Sequence, residues 1–553
     1  MKRRVMACAW AAAAWCLAGA AWADPPAGFD ARVEQIRAAV GVPGLAVTIV
    51  ENGRVTLARG YGIRQLGQDA PVDADTIFQL GSVGKAFTTA ALAVLVDRGQ
   101  IAWDDPVTQH VPWFQMYDPW VTREMTVLDL LVHRSGLGLG AGDLMFVPRS
   151  TLTRAETVRR LRYIRPATSF RSAYAYDNVL YVVAGQLIEE VSGKPWERFV
   201  REDVLIPGGL RTATSDRAMR RRTTNRAWPH ARRDGPMHGM GTQEVLDDSG
   251  QAEFDPELGA NAAPAGGVAA SANDMGRWIA IQLARGALPE GSGRLFSEAA
   301  SRQMWTPRVH LPISPAPGPA AAATPQFNGY ALGWNERDYR GHRLLMHTGA
   351  VFGAQAVIVL IPGRNVGFSV AINCEDGEAA LGIAYELLDH YLDQPRYDWA
   401  AAWQEVVRQR DERAVALLKQ QTSTPARIGP SLPLERYAGA FADAWYGPMA
   451  ITHHDGRLTM DFKQTPGMSG ELRHWQYDTF RVEWRDRLIE PAYVTFSLQA
   501  DGSIDRIRMR AVSPSPTSAS ITRTWTSGRR RSEGLGALGA HLSQRPDTDR
   551  QHG

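Results

Sequence analysis

Three cysteines and five lysines are all that 553 residues contain of two reactive side-chain types. Cys8 and Cys16 fall within the first 23 residues, which leaves Cys374 alone and excludes an internal disulfide from the remainder. Cys374 closes the apolar run 366–374, the setting of a core side chain rather than of a reactive thiol. Charge of one sign is lacking too. Residues 1–23 hold Lys2, Arg3 and Arg4 and no acid, so without them the 61 basic residues fall to 58, equal to the 58 acidic ones. No global field draws such a chain to nucleic acid or to an anionic membrane, and Arg529, Arg530 and Arg531 form only a local cluster near its end. There is no Gly-x-Ser-x-Gly elbow, no phosphate-binding Gly loop and no dinucleotide fingerprint. His453 and His454 are neighbours in a strand-like run, where side chains alternate between faces, and His230 and His238 lack ligand spacing. No metal or organic cofactor is expected.

Lys2, Arg3 and Arg4 precede an uncharged apolar run over residues 5–20 and an Ala21-Trp22-Ala23 pattern, the signature of a signal peptide over residues 1–23. The run is barely long enough for a membrane anchor and rich in small residues. The expectation is a periplasmic or secreted protein with no stable membrane insertion after cleavage. A chain of 553 residues exceeds what one core serves, so two folded units are expected. Residues 24–395 show helical spacing at 29–40, a hairpin at 45–50 and 55–61 around Glu51-Asn52-Gly53-Arg54, and an apolar helix at 82–98. A helical middle follows, then strand patterns at 344–347, 355–361 and 366–373 and a helix at 379–392. Strands at both ends with helices between them predict an α/β (α+β) sandwich, one antiparallel sheet flanked by helices, with an all-helical lobe. The Pro- and Ala-rich stretch 311–326 reads as an exposed loop, and the polar, charged stretch 396–430, which has helical propensity, as a connector. Residues 431–526 read as a small, barrel-like all-β domain punctuated by Asp455-Gly456 and Asp501-Gly502, and 527–553 as a disordered tail.

The chemistry starts from Ser82-Val83-Gly84-Lys85. Residues three apart share one face of a helix, so this spacing sets an amine beside a hydroxyl. A desolvated lysine can serve as the base a serine nucleophile needs, and the helix N-terminus offers N–H groups to an oxyanion. With five lysines and serine at roughly 6% of residues, about 0.3 such pairs arise by chance. A helix-capping serine before a solvated lysine is the alternative. Tyr176-Asp177-Asn178 offers a hydroxyl to relay a proton and an amide to hold a carbonyl, though Tyr174 could pack in the same way. His347-Thr348-Gly349-Ala350 closes a strand, where glycine admits close backbone approach and the Ala350 N–H can face that of Ser82. His133 and Ser135, in LLVHRSGLG, read as structural.

Order and surrounding text join these elements. IFQLGSVGKAFTTAAL, MTVLDLLVHRSGLG, YDNVLYVVAGQLIEEVSGKPW, PAGGVAASANDMGRW and HTGAVFGAQAVIVLIPG, over residues 28–393, resemble the class C β-lactamase and penicillin-binding-protein superfamily. Residues 432–526 resemble, more loosely, a small domain often appended to such hydrolases. The resemblance implies a nucleophile in Ser82, a proton-transfer pair in Lys85 and Tyr176, a substrate contact in Asn178, and an oxyanion hole from the Ser82 and Ala350 N–H groups. Thr348 and Gly349 match the family pattern. His347 departs from it: lactamases and cell-wall peptidases usually carry lysine there, and histidine resembles the esterase and D-aminopeptidase branches. A neutral histidine removes a fixed cation, which disfavours a Tyr176 phenolate, favours neutral Lys85 as base and weakens recognition of a substrate carboxylate. The reading is therefore an exported serine hydrolase acting through an acyl-enzyme on a small-molecule or peptide ester or amide, with poor β-lactam turnover. Turnover of anionic substrates is expected to rise as pH falls through about 6.5. A lactamase or D,D-peptidase, and a non-catalytic binder of cell-wall fragments or partners, are the alternatives. The substrate and the oligomeric state are left open.

Overall fold

Asn52 and Gly53 both take left-handed backbone angles, with φ of 50° and 78°, so the chain reverses within two residues. This turn joins β1 (Gly44–Glu51) to β2 (Arg54–Gly62) in the computed structural model, which describes residues 25–247, 249, 257–291, 293–421, 428–514 and 525–529. The expected signal peptide, and residues 530–553 of the expected tail, lie outside the described residues. Strands β3 (Phe78–Gln79), β4 (His230–Arg232), β5 (Gln243–Val245) and β6 (Ala269–Ala270) are short: β3 pairs with β6 and β4 with β5. The chain then returns to the main sheet with β7 (Val309–His310), β8 (Asn328–Tyr330), β9 (Asn335–Tyr339), β10 (His342–Val351), β11 (Ala354–Ile361) and β12 (Val366–Ile372). The eight antiparallel strands run β2-β1-β12-β11-β10-β9-β8-β7, so the first hairpin closes against the last strand, with Val47 opposite Val370.

Helices cover both faces, which is why β1 is buried along its whole length rather than alternating with solvent. Leu45, Val47 and Ile49 join the core under helices Phe29–Val40 and Gly377–Tyr391; Ala46 and Val50 point into the larger core on the other side. There the Thr48 hydroxyl donates to the Ala272 carbonyl at 2.8 Å, and Trp278 stacks on Phe87 with ring centroids 4.0 Å apart. That stack ties the sheet-facing helix Ala272–Leu283 to the helix Lys85–Asp97 of the lobe. Full burial of each such aromatic contributes on the order of 2–3 kcal/mol.

The second unit is a closed eight-stranded barrel formed by β13 (Gly439–Asp443), β14 (Gly447–His454), β15 (Arg457–Phe462), β16 (Ser469–Gln476), β17 (Thr479–Trp484), β18 (Ala492–Leu498), β19 (Ile504–Ala511) and β20 (Trp525–Arg529). The last strand reaches three residues into the expected tail, because it must pair with both β13 and β19 to close the barrel. Two further segments pack more closely against the first unit than expected. The stretch read as a connector is helical over Trp399–Gln421, and Trp399, Ala400 and Ala402 pack into the core beneath the sheet, where the Trp399 indole N–H donates to Asp389. The stretch read as exposed loop contains the turn Gly318–Ala323, whose Ala320 and Ala323 join the same core.

The barrel grips the first unit at two places. The Arg160 guanidinium donates to the Trp445 and Tyr446 carbonyls at 3.0 and 2.7 Å. Leu488, beyond β17, packs on Ala231 and Leu246 of the β4–β5 region and on Phe352.

Candidate active site

Gly81 adopts φ 52°, and a Cβ built there would stand 2.6 Å from the Ala350 nitrogen. The turn Gly81–Gly84 can therefore press against β10, and the helix Lys85–Asp97 leaves from its end. A Cβ at Gly349 would meet the Leu80 oxygen at 1.9 Å and the Ser82 nitrogen at 2.9 Å. The two backbones touch, and Ser82 and Ala350 line the same cavity.

Lys85 has no exposed surface. Its Nζ stands 3.0 Å from Ser82 Oγ, 2.8 Å from Asn178 Oδ1 and 2.8 Å from the Ala265 carbonyl. Burial pushes the ammonium down to about 7, although the Asp143 and Asp177 carboxylates pull upward. An amine neutral near pH 7 and within hydrogen-bond reach of a hydroxyl can take its proton.

Asn178 is used at both ends, because its Nδ2 donates to the Asp143 carboxylate at 3.1 Å. Burial pushes Asp143 up to about 7. Asp143 carries no sequence signal of its own: it opens the short turn Asp143–Met145, just beyond the LLVHRSGLG segment, and only the fold brings it to Asn178. The Tyr176 hydroxyl is buried against Ser82 with no completed hydrogen bond among the described residues, and burial raises its pKa well above the ordinary tyrosine value, so it remains a phenol. Beneath it, His133 lies 4.1 Å from the Tyr176 ring and accepts the Asp177 N–H at 3.2 Å, while Ser135 donates to Asp177 Oδ2 at 3.0 Å. The LLVHRSGLG segment thus holds the Tyr-Asp-Asn turn from behind.

His347 has both nitrogens occupied. Nδ1 donates to the Thr348 carbonyl at 2.6 Å, so Nε2 accepts the Tyr330 hydroxyl at 2.8 Å. Burial, reinforced by Lys85, pushes its pKa down to about 3. A histidine held neutral by burial gives no support to the expected rise in turnover of anionic substrates through the ordinary histidine range. With both nitrogens engaged in this way, His347, expected to be catalytic, has no free donor or acceptor turned towards the cavity. Thr348, expected to contact substrate, is exposed and shares its face of the strand with Ala350, opposite that of His347.

The cavity measures about 530 Å³ and extends from Ser82 and Asn178 past Ala350 and Phe352 to the helices Gly377–Tyr391 and Trp399–Gln421. Leu488, Glu490 and Ser513 of the barrel unit line its far end. No described helix is long and apolar enough to cross a membrane.

The chain is similar to several known proteins. Over 75% of its length the chain is 28% identical to the unguisins hydrolase ungD of Aspergillus violaceofuscus, covering 75% of that protein. It is 26% identical to penicillin-binding protein 4 of Amycolatopsis lactamdurans over 62% of this chain and 84% of that one. The octameric penicillin-binding protein homologue from Pyrococcus abyssi superposes on 91% of the chain and 99% of its own with a TM-score of 0.56 at 19% identity, a likeness of fold. Residues 423–524 match the model of a domain of unknown function, DUF3471. The Beta-lactamase family model matches residues 29–392, two thirds of the sequence and the whole of the sheet-and-lobe unit, and the chain belongs to that family as a serine hydrolase.

Proposed function

We propose that the protein is an exported acyl-transfer hydrolase that opens ester, amide or peptide bonds through an acyl-enzyme on Ser82. The observation that carries this reading is the fully buried Lys85 amine 3.0 Å from Ser82 Oγ. Neutral Lys85 accepts the Oγ proton as Oγ bonds the acyl carbon, and the carbonyl electrons move to an oxygen held by the Ser82 and Ala350 N–H groups. The Tyr176 phenol, protonated and beside Ser82, relays the proton to the departing group as its bond to the acyl carbon breaks. Water then repeats the sequence to release the acid. Asn178 and Asp143 fix Lys85 in place, and His347 positions the strand through Tyr330.

A neutral His347 offers no cation to a substrate carboxylate, which supports esters and peptides over penicillins. The resemblance to a named hydrolase supports turnover over mere binding, and the resemblance to penicillin-binding protein 4 keeps penicillin recognition as the second reading. Export is supported by the charge and apolar pattern of residues 1–23, and N-terminal sequencing of the cell-envelope fraction tests it by the presence or absence of cleavage after Ala23.

Intact-protein mass spectrometry after exposure to a fluorophosphonate, and separately to a penicillin, tests the chemistry in the wild type and Ser82→Ala. A fluorophosphonate adduct that vanishes in the variant supports the reading. A penicillin adduct alone favours the second, and an adduct that persists in Ser82→Ala overturns Ser82 as nucleophile.

A further inference from the structure

Away from Ser82, the cleft wall formed by the barrel unit and the helices Gly377–Tyr391 and Trp399–Gln421 is rich in acids. Arg232 is bound to Asp376, Arg410 to Asp411, and His238 to Glu375. Glu378 and Glu490 remain, with no ion pair to either among the described residues. Glu490 is only 8% exposed, and its Oε1 has no hydrogen-bond partner among the described residues although the residue lines the cavity. Burial raises the pKa of both acids, Glu378 to about 7, so each is completed either by a proton or by a cation that takes its place. The loop that carries it is held firmly: Leu488 is buried against Ala231 and Leu246, and the Trp484 indole donates to the Glu490 carbonyl at 2.9 Å. The same cavity wall carries an apolar surface from Phe352, Leu381, Trp403 and Val406.

We infer that this end is a cation subsite: the substrate's acyl portion carries an amine on an aliphatic stem, the stem lying on the apolar wall and the ammonium meeting Glu490 of the barrel unit and Glu378. The inference rests on Ser82 as the acylated residue and deepens that reading by assigning the substrate a positive charge remote from the scissile bond. It also gives the barrel a role, since Glu490 is supplied by the barrel unit.

The test compares p-nitrophenyl 6-aminohexanoate with p-nitrophenyl heptanoate, chains of equal length that differ in charge, in the full chain. The wild type should favour the cationic ester by about tenfold or more in kcat/KM, the effect of a desolvated charge pair. Glu490→Gln should bring the ratio near unity while heptanoate turnover stays within about twofold. Equal turnover of both esters by the wild type, or a preference that survives in both Glu490→Gln and Glu378→Gln, overturns the subsite. Heptanoate turnover surviving in Ser82→Ala instead overturns the nucleophile reading. If neither ester reacts, protection of Ser82 from the fluorophosphonate by hexylamine but not by hexan-1-ol supports the subsite, and equal protection or no labelling overturns it.

Discussion

The two ends of the cleft differ in how their buried polar groups are satisfied. At the Ser82 end, Lys85 has three partners, Asn178 two and His347 two, and the Tyr176 hydroxyl beside Ser82 is left without one among the described residues. At the far end, Glu490 keeps an oxygen for which the described chain offers nothing. The first pattern suits chemistry, where groups must be in place before the substrate arrives and cost no reorganisation during reaction. The second suits recognition, where a group is completed by what it binds. The difference also teaches how a site can be divided between units: the sheet-and-lobe unit supplies the fixed end, and the barrel unit contributes Glu490 to the other.

Removing the base is the strongest way to sharpen this contrast. Lys85→Met should lower kcat by about 10³-fold for charged and neutral esters alike, because it acts on the proton transfer and not on recognition. Pre-steady-state acylation rates on the two esters check this, and a loss confined to the cationic ester would erase the distinction between the ends. Gly349→Ala comes next. Its Cβ would meet the Leu80 oxygen and the Ser82 nitrogen, so β10 must shift and Ala350 with it. A loss of about 10²-fold in kcat with KM nearly unchanged is expected, the effect of misplacing one oxyanion donor. A raised KM with intact kcat would show that β10 serves binding instead.

Much of the fixed end was legible because helical and strand periods leave marks in sequence. The helix Phe29–Val40, the Asn52-Gly53 turn and the antiparallel sheet follow from local pattern, and the order of motifs carried the family. Ser82 and Lys85 needed only the three-residue spacing that brings them within 3.0 Å. Protonation was less readable: the letter His347 gives no sign that Tyr330, 17 residues earlier, and the next carbonyl will occupy both nitrogens. The far end could not be read at all. Glu378, Trp403 and Glu490 come from three segments separated by no repeat, and only the seating of Leu488 brings the last of them to the cavity. The helix Trp399–Gln421 looked like a connector because its charged outer face dominates its composition, while the few apolar positions that dock it, Trp399, Ala400 and Ala402, are too sparse to stand out.

Smaller effects concern charge at the fixed end. Asp143 holds the Lys85 pKa up, so Asp143→Asn should let it fall and move the rising limb of the kcat/KM profile, near about 7 in the wild type, to lower pH by about one unit. The amide can still accept from Asn178, so the rate on the alkaline plateau should change little. A limb that stays in place would mean that it belongs to another group.

The smallest effect on rate is expected at His347. Burial and the neighbouring Lys85 hold the folded-state pKa at about 3, below the ordinary 6.5, and protonating Nε2 would in addition expel the Tyr330 donor. His347→Gln preserves an acceptor for Tyr330, and the shape of its kcat/KM profile between pH 5 and 8 should superimpose on that of the wild type. Stability carries the visible signature. The unfolded chain protonates this histidine below about 6.5 and the folded chain does not, so the contribution of neutral His347 is complete above that pH and is lost progressively as pH falls towards about 3. Thermal melts of the two proteins at pH 7.5 and pH 5 should show the wild type losing more on acidification than His347→Gln. Equal losses would mean that the imidazole is free to take a proton in the folded state, and the fixed end of the cleft would then be less fixed than its hydrogen bonds require.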